Sequence, residues 1–398
     1  MPTPASRPPE TRRWLTTAAL LLGAVLFSGV LAEGLVRAFL RRDGDGQEWL
    51  RDVRLRPHRL PLAAIRATLA ALDGPDAFLA YDPDLGWAPR PNARSNDGAR
   101  RVDGAGIRTN GDTAITAAPG VLRIALFGDS FTFGDEVGQD ETWGAALAGI
   151  LTERGTPAEV LNFGVNAYGV DQAYLRWRTV GRRYAPNVVV LGFQGEDVLR
   201  DLNVFRPLYY TGSEVPLSKP RFVVRDDALV TTNVPTIPPA RIADVLAGID
   251  DEPLLAHERY YEPYAPRWWL RSRAAALVAT AMTTNLNPWV LTPEARDLAE
   301  RIVAAFADDV RAAGAGFVIL HLPRREDFAT MRAGAALWYA DLLRTFDDHH
   351  TVVHPEAALP ALEDAMFAPK GHYGPALNRL VGATLAEPVL RAATRERR

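Results

Sequence analysis

The sequence predicts an α/β chain: a parallel sheet with helices on both faces, an apolar helix ahead of it and an insertion within it. Three observations lead there. From about residue 120, short apolar runs alternate with amphipathic helical stretches, the pattern of a parallel sheet covered on both sides. That alternation stops near 204 and resumes near 292, too long a gap for a plain loop. An uncharged apolar run over residues 14–32 follows Arg7, Arg12 and Arg13.

Taken in order, residues 1–13 read as a cytoplasmic tail and 14–32 as a transmembrane anchor. The run matches the roughly 20 residues of helix that cross a bilayer. Its basic flank predicts a cytoplasmic N-terminus and sends the remaining chain outward, although Arg37, Arg41 and Arg42 reduce the charge asymmetry. A cleaved signal peptide is the rival reading, because Val30 and Ala32 satisfy a small-residue cleavage rule; the run is long for one. Residues 33–119 form a juxtamembrane accessory segment rich in Arg, Pro and Gly. Within it, 62–72 reads as a short helix, with Pro61 suited to its start. Tyr81-Asp82-Pro83-Asp84-Leu85-Gly86-Trp87 reads as a turn rather than a strand.

Residues 120–391 form the main domain. Strands are expected at 123–127, 159–163, 187–193, 317–321 and 351–353, and helices at 141–154, 170–184, 292–313, 335–346 and 375–390. Thr292-Pro293-Glu294 supplies a cap, a proline at the first helical position and an acid. In the insertion, 204–291, residues 221–224 and 228–230 read as a hairpin around Arg225-Asp226-Asp227. A proline-rich tract and an aromatic helix around Trp268 and Trp269 follow. The tyrosines Tyr209, Tyr210, Tyr260, Tyr261 and Tyr264 suit either sugar stacking or packing of the insertion on the sheet.

Composition excludes several classes. The 398 residues are 47% hydrophobic with a net charge of −3, enough for a large core and no electrostatic footprint for nucleic acid. The chain has no cysteine, which rules out disulfides, thiolate metal sites and cysteine nucleophiles. Gly128 and Gly134 do not match a dinucleotide fingerprint or a P-loop, so no cofactor is expected. An α/β-hydrolase elbow needs glycine two residues after its serine, where Thr132 stands. His349-His350, beside Asp347 and Asp348, reads as a solvated helix end, and no metal is expected.

The chemistry concentrates in Arg123-Ile124-Ala125-Leu126-Phe127-Gly128-Asp129-Ser130. An apolar strand ends in Gly-Asp-Ser and a helix follows, which places the Ser130 hydroxyl at the carboxyl edge where open sheets carry their sites. Of the seven histidines (His58, His257, His321, His349, His350, His354 and His372), only His372 has a favourable setting. It precedes the helix start at Gly374-Pro375, whose positive end suits a neutral, proton-accepting imidazole. His321 ends a strand and suits either lining the site or capping the sheet. Oxyanion donors are expected from the Ser130 N–H and from the turns at 162–169 and 194–197.

These residues resemble the SGNH/GDSL hydrolases. Gly128-Asp129-Ser130-Phe131 is similar to the family's first block, and Asn162-Phe163-Gly164-Val165-Asn166-Ala167-Tyr168-Gly169-Val170-Asp171-Gln172 to its second. Glu196-Asp197 falls where the third block reads Asn-Asp, and Gly371-His372-Tyr373 looks like the last. The anchor, the 81–87 segment and Gly106-Ile107-Arg108 also resemble a membrane-anchored bacterial branch. The resemblance implies a flavodoxin-like, three-layer SGNH-hydrolase fold with Ser130 as nucleophile and His372 as base. The oxyanion donors would be Ser130 and Ala167 through their N–H groups and Glu196 through its side chain.

Three departures stand out. Ala167 replaces a glycine. Glu196 replaces an asparagine donor and would have to be protonated, its pKa raised by burial near Asp197, to serve. Lys370 and Pro369 occupy the places where the acid that orients the histidine is expected. Asp129, Asp197 and Asp364, with Glu363, are the candidate supporting acids; an acid from another loop, or Ser130 and His372 acting alone as a dyad, are the alternatives. The function expected is a single-pass bacterial inner-membrane protein hydrolysing acyl esters on the extracytoplasmic side, with a polysaccharide or lipid-linked glycan as substrate. Carbohydrate O-acyl transfer at the same site is one alternative, and a catalytically impaired glycan-binding or assembly protein the other.

Overall fold

The computed structural model describes residues 10–261, 268–284, 289–358 and 364–395. The chain divides into two compact units, Met1–Pro61 with Glu262–Pro288, and Leu62–Tyr261 with Trp289–Arg398. The division therefore cuts both the 33–119 segment and the 204–291 insertion, which the sequence presents as continuous.

The first unit has a helix, Glu10–Phe39, whose stretch Arg13–Phe39 is long and apolar enough to cross a membrane. Three short antiparallel strands follow, Leu40–Arg42, Glu48–Leu50 and Val53–Arg54. Val36 and Leu55 form a small core with Leu270, Ala276 and Ala279, which explains why the helix Arg273–Thr284 groups here. Glu33 accepts from Arg273 N at 3.0 Å and Ala274 N at 2.9 Å, satisfying donors at that helix's start.

The second unit is built on a five-stranded sheet: β1 Leu122–Phe127, β2 Ala158–Asn162, β3 Val188–Phe193, β4 Gly316–His321 and β5 Thr351–Val353. The spatial order is β2-β1-β3-β4-β5, and every pairing is parallel. That is the flavodoxin-like order, whose ligands sit at the switch point beside the first strand. Side chains alternate across the sheet. Leu122, Ile124 and Leu126 pack with Trp143, Leu147 and Leu151 of the helix Trp143–Glu153 and with Leu377, Val381 and Leu385 of Pro375–Arg395. On the opposite face Phe127 stacks on Phe163 and meets Trp177 and Phe306 edge-on, from the helices Val170–Thr179 and Pro293–Ala312. The sheet thus has helices on both faces, in three layers.

Thr292 caps its helix as expected, accepting from Ala295 N at 3.2 Å. The insertion's hairpin pairs Arg221–Arg225 with Ala228–Thr232, and Asp226 and Asp227 take φ of +48° and +62°. Two local differences have simple causes. The turn at 83–85 is flanked by paired strands, Leu79–Asp82 and Gly86–Pro89, because Asp82 Oδ1 accepts from the N–H groups of Asp84 and Leu85 and closes a hairpin. The helix expected from 335 begins at Ala340, and a short polar helix, Arg325–Arg332, precedes it.

Candidate active site

Ser130 opens a one-turn helix, Ser130–Phe133, directly after β1. Gly128 makes the turn possible. Its φ is +150°, and a Cβ there would stand 2.3 Å from Thr132 Oγ1 and 2.5 Å from Gly192 O. Asp129 caps the turn, accepting from Phe131 N at 2.8 Å.

His372 arrives from the segment ahead of the last helix. Its Nε2 lies 2.9 Å from Ser130 Oγ, across 242 residues of sequence. Its Nδ1 lies 2.7 Å from Glu136 Oε2. The Glu136 carboxylate also accepts the N–H of Lys370 at 2.7 Å and of His372 at 3.3 Å. Burial opposes the charge on Glu136, but the Lys370 and His372 donors outweigh it and hold the carboxyl below its ordinary range. Glu136 is an acid that sequence reasoning missed. The one available signal was Gly134-Asp135-Glu136-Val137-Gly138, two acids between glycines shortly after the serine.

The loop bearing Glu136 is fixed by a buried arginine. Arg108 donates from Nη1 to Phe133 O at 2.7 Å and Gly134 O at 2.6 Å, from Nη2 to Val137 O at 2.6 Å, and from Nε to Gln139 Oε1 at 3.0 Å. Glu136 itself sits at φ +69°. That left-handed conformation costs a non-glycine residue roughly 1–2 kcal/mol, and the four arginine hydrogen bonds hold the loop on this path against that cost.

Ala167 also takes a left-handed φ, +65°, so alanine occupies a position whose geometry suits glycine. The loop around it is pinned by the hairpin: Trp87 Nε1 donates to Asn166 O at 2.9 Å and Tyr168 Oη to Trp87 O at 2.6 Å. Among the described residues, neither the Ser130 nor the Ala167 backbone N–H donates to a protein acceptor.

Glu196 requires a correction. Burial acts to raise its pKa, but Arg200, the Tyr209 hydroxyl and Arg324 outweigh this and lower it. Tyr209 donates to Oε1 at 2.7 Å, and Arg200 and Arg324 each stand 3.4 Å away. A carboxylate so held keeps its charge and has no proton to donate to an oxyanion. Its depressed pKa has a sign: the stability it contributes is complete above the unfolded carboxyl value of about 4.3 and is lost as pH falls through the folded value. Glu196→Gln is therefore expected to flatten the acid limb of a stability–pH curve followed by thermal unfolding.

Of the other expected acids, Asp129 and Asp197 are engaged by Arg200 and not by the imidazole. Arg200 Nη1 bridges Asp129 Oδ2 at 3.0 Å and Asp197 Oδ1 at 2.7 Å. Burial and the neighbouring Asp129 push the Asp197 carboxyl well up. Glu363 and the Asp364 side chain lie outside the described residues, as does Tyr264. His321 is fully buried and bonded to Glu356 and Tyr339. His349 ends the helix Ala340–His349 and is exposed, but His350 is not a solvated residue: its ring packs against Phe317 and Phe346 and its Nδ1 is buried.

No protein-family model and no curated protein sequence matches the chain. Solved structures do. TesA is similar at 13% identity and a TM-score of 0.36, over 68% of this chain and 99% of its own. An acetylxylan esterase from Geobacillus stearothermophilus matches at 11% identity and 0.36, over 67% of this chain and 93% of its own. A psychrotrophic esterase, EstA, from Pseudoalteromonas sp. matches at 9% identity and 0.35, over 68% and 97%.

Proposed function

We propose that the chain is a membrane-anchored serine ester hydrolase of the SGNH/GDSL type, acting outside the cytoplasm. Its substrates are acyl esters, with acetylated or otherwise acylated glycans as the class. The carrying observation is one continuous line of groups: Ser130 Oγ at 2.9 Å from His372 Nε2, and His372 Nδ1 at 2.7 Å from Glu136. A nucleophile hydrogen-bonded to a base, itself oriented by an acid, is the arrangement acyl transfer requires.

In this reading Glu136 holds the Nδ1–H tautomer, leaving Nε2 to accept the Ser130 proton. Ser130 Oγ attacks the acyl carbonyl, and the N–H groups of Ser130 and Ala167 receive the developing oxyanion. Two backbone donors serve that purpose in the serine proteases, so Glu196 need not take part. His372 returns its proton to the leaving alcohol, and water then releases the acyl group by the same base. The two features that favoured an impaired protein lose their weight, because Glu136 supplies the acid and Glu196 is engaged elsewhere.

The anchor rests on the helix through Arg13–Phe39, whose Leu20, Leu21, Leu22, Val25, Leu26 and Phe27 are all exposed. Lipid is the medium in which such a surface is favourable. The flanking Arg12 and Arg13 favour an N-terminus on the cytoplasmic side.

The test is active-site labelling of the full chain in detergent with a fluorophosphonate probe. Labelling should be stoichiometric in the wild type and absent in Ser130→Ala, with loss of hydrolysis of a small acyl ester. Equal labelling of both, or none in either from mildly acidic to mildly basic pH, would overturn the reading.

A further inference from the structure

A second cluster of imidazole and carboxylate groups lies at the end of β4, and the hydrolytic reading makes no use of it. His321 is wholly buried. Its Nδ1 is 2.7 Å from Glu356 Oε1 and its Nε2 3.1 Å from the Tyr339 hydroxyl, which donates to Asp327 Oδ2 at 3.1 Å. His354 brings its own Nδ1 to 3.0 Å from the same Glu356 Oε1 and its Nε2 to 2.9 Å from Asp347 Oδ1. One ligand atom from each of His321, His354 and Glu356 lies within 4.8 Å of the other two. The second Glu356 oxygen, Oε2, is buried and has no hydrogen-bond partner.

The outer partners fix which nitrogen carries the proton. Tyr339 has a single hydroxyl proton, and the Asp327 carboxylate is a stronger acceptor than an imidazole nitrogen. The Tyr339 oxygen is then left to accept, so His321 Nε2 is protonated. An ionised Asp347 is an acceptor only, so His354 Nε2 carries its proton too. In neutral imidazoles both Nδ1 atoms then present lone pairs, and both face a carboxylate oxygen. Three acceptors converge with no hydrogen between them. Two imidazole nitrogens and a carboxylate whose second oxygen is buried without a partner thus converge on one point, a donor set that a cation fits.

We propose that His321, His354 and Glu356 bind a divalent transition-metal ion of the zinc class, through the two Nδ1 atoms and the Glu356 carboxylate. The outward N–H groups, held by Asp347 and the Tyr339 hydroxyl, are the arrangement that orients metal-ligating histidines. Two imidazoles with one carboxylate suit Zn²⁺, Co²⁺ or Ni²⁺ over the hard, all-oxygen cations. Ligand distances of about 2.0–2.2 Å set tetrahedral ligand atoms roughly 3.3 Å apart, so the Glu356 contacts of His321, at 2.7 Å, and His354, at 3.0 Å, would open by roughly 0.6 and 0.3 Å. Entry is from the solvent side, where the His354 side chain is 29% and that of Asp347 45% exposed. The ion would tie the end of β4 to the turn Pro355–Ala358, and three protein ligands leave its fourth position to water.

The test uses the full chain in detergent, carrying a tag without histidine, stripped with a chelator and dialysed against Zn²⁺. Mass spectrometry of the metal content should find about one Zn²⁺ per chain, and added Zn²⁺ should raise the melting temperature. Co²⁺ should give the visible absorption of a tetrahedral nitrogen–oxygen site. His354→Gln and Glu356→Gln should each abolish all three signals, and Asp347→Asn should weaken the affinity about 10–100-fold, as loss of an outer partner does. His354 is partly exposed, so its variant is expected to fold, and its zinc-free melting temperature serves as the check. A wild type that retains no metal overturns the proposal, as does equal retention by both ligand variants, which would place the ion elsewhere, as on His349-His350.

Discussion

Glu136→Gln is expected to lower kcat on a small acyl ester by about 10⁴-fold, the loss seen when a triad acid becomes an amide and the imidazole takes the wrong tautomer. The carbonyl oxygen of the substituted side chain can still accept from Lys370 N–H, so the loop keeps one of its contacts. The amide would then turn its N–H toward His372 Nδ1, which must become the acceptor. The remaining proton moves to Nε2 and faces Ser130 Oγ, and the base can no longer take the serine's proton. KM should change little, because Glu136 lies behind the imidazole, and the fluorophosphonate labelling rate should fall with kcat. Retention of more than a tenth of the activity would mean that Ser130 and His372 act as a dyad. The carboxylate has a pH signature as well. Held below its ordinary range, Glu136 contributes stability that is complete above about pH 4.3 and lost as pH falls through its folded value.

Most of the sheet was legible because its strands are buried on both faces. β1, β3 and β4 are buried along their whole lengths, which reads in sequence as short apolar runs between helical periods. The Ser130 position was legible for a local reason, since Gly128, Asp129 and Ser130 are consecutive and shape one tight turn between strand and helix. The acid was not. Glu136 touches Lys370 and His372 across more than 230 residues, and a lone glutamate in a loop has no periodicity to mark it. Glu196 misled for a different reason. Its chemistry depends on Arg200, one helical turn away and visible, but also on Tyr209 and Arg324, which reach it from the insertion and from beyond β4. The helix Arg325–Arg332 escaped notice because only Asp327 and Phe328 are buried, so it shows no apolar stripe. The grouping of 273–284 with the N-terminal residues was likewise hidden, as it rests on a small core between distant segments.

The Arg108 contacts show how the accessory segment matters to the site. The resemblance marked Gly106-Ile107-Arg108 without giving it a task. In the structure the guanidinium binds three carbonyls of the 133–137 loop, while burial lowers its pKa to about 10, which leaves it charged at neutral pH. A residue outside the sheet thus sets the path of the loop that presents Glu136, and the stretch from Gly106 to Arg108 belongs structurally with the sheet.

The second large effect is expected at Arg200. Arg200→Met should destabilise the protein by about 3–5 kcal/mol, the usual cost of leaving buried charge without its partner. Asp129 is 0% and Asp197 2% exposed, and Arg200 Nη1 serves both while also donating to Tyr168 O at 3.0 Å. Lysine would not replace it, because the guanidinium also turns Nη2 toward Glu196 at 3.4 Å while Nη1 serves the two aspartates, a spread one ammonium does not match. The deficit should depend on pH in a defined direction. Burial and Asp129 already push the Asp197 carboxyl well up, and losing the arginine removes the charge that opposes this; a raised folded pKa favours folding below the unfolded value of about 3.9 and that gain is lost as pH rises. Denaturant unfolding should therefore find the gap between variant and wild type narrowing toward acid pH and widening toward neutral. Adding Asp197→Asn should recover part of the loss, since one of the two stranded charges is gone; activity should remain impaired, because Asp129 still caps the turn that bears Ser130 without its counter-ion. A loss under about 1 kcal/mol at neutral pH would mean that one carboxyl is already protonated in the wild type, and the Asp129–Arg200–Asp197 bridge would then be a hydrogen-bonded pair with a single net charge on its acids.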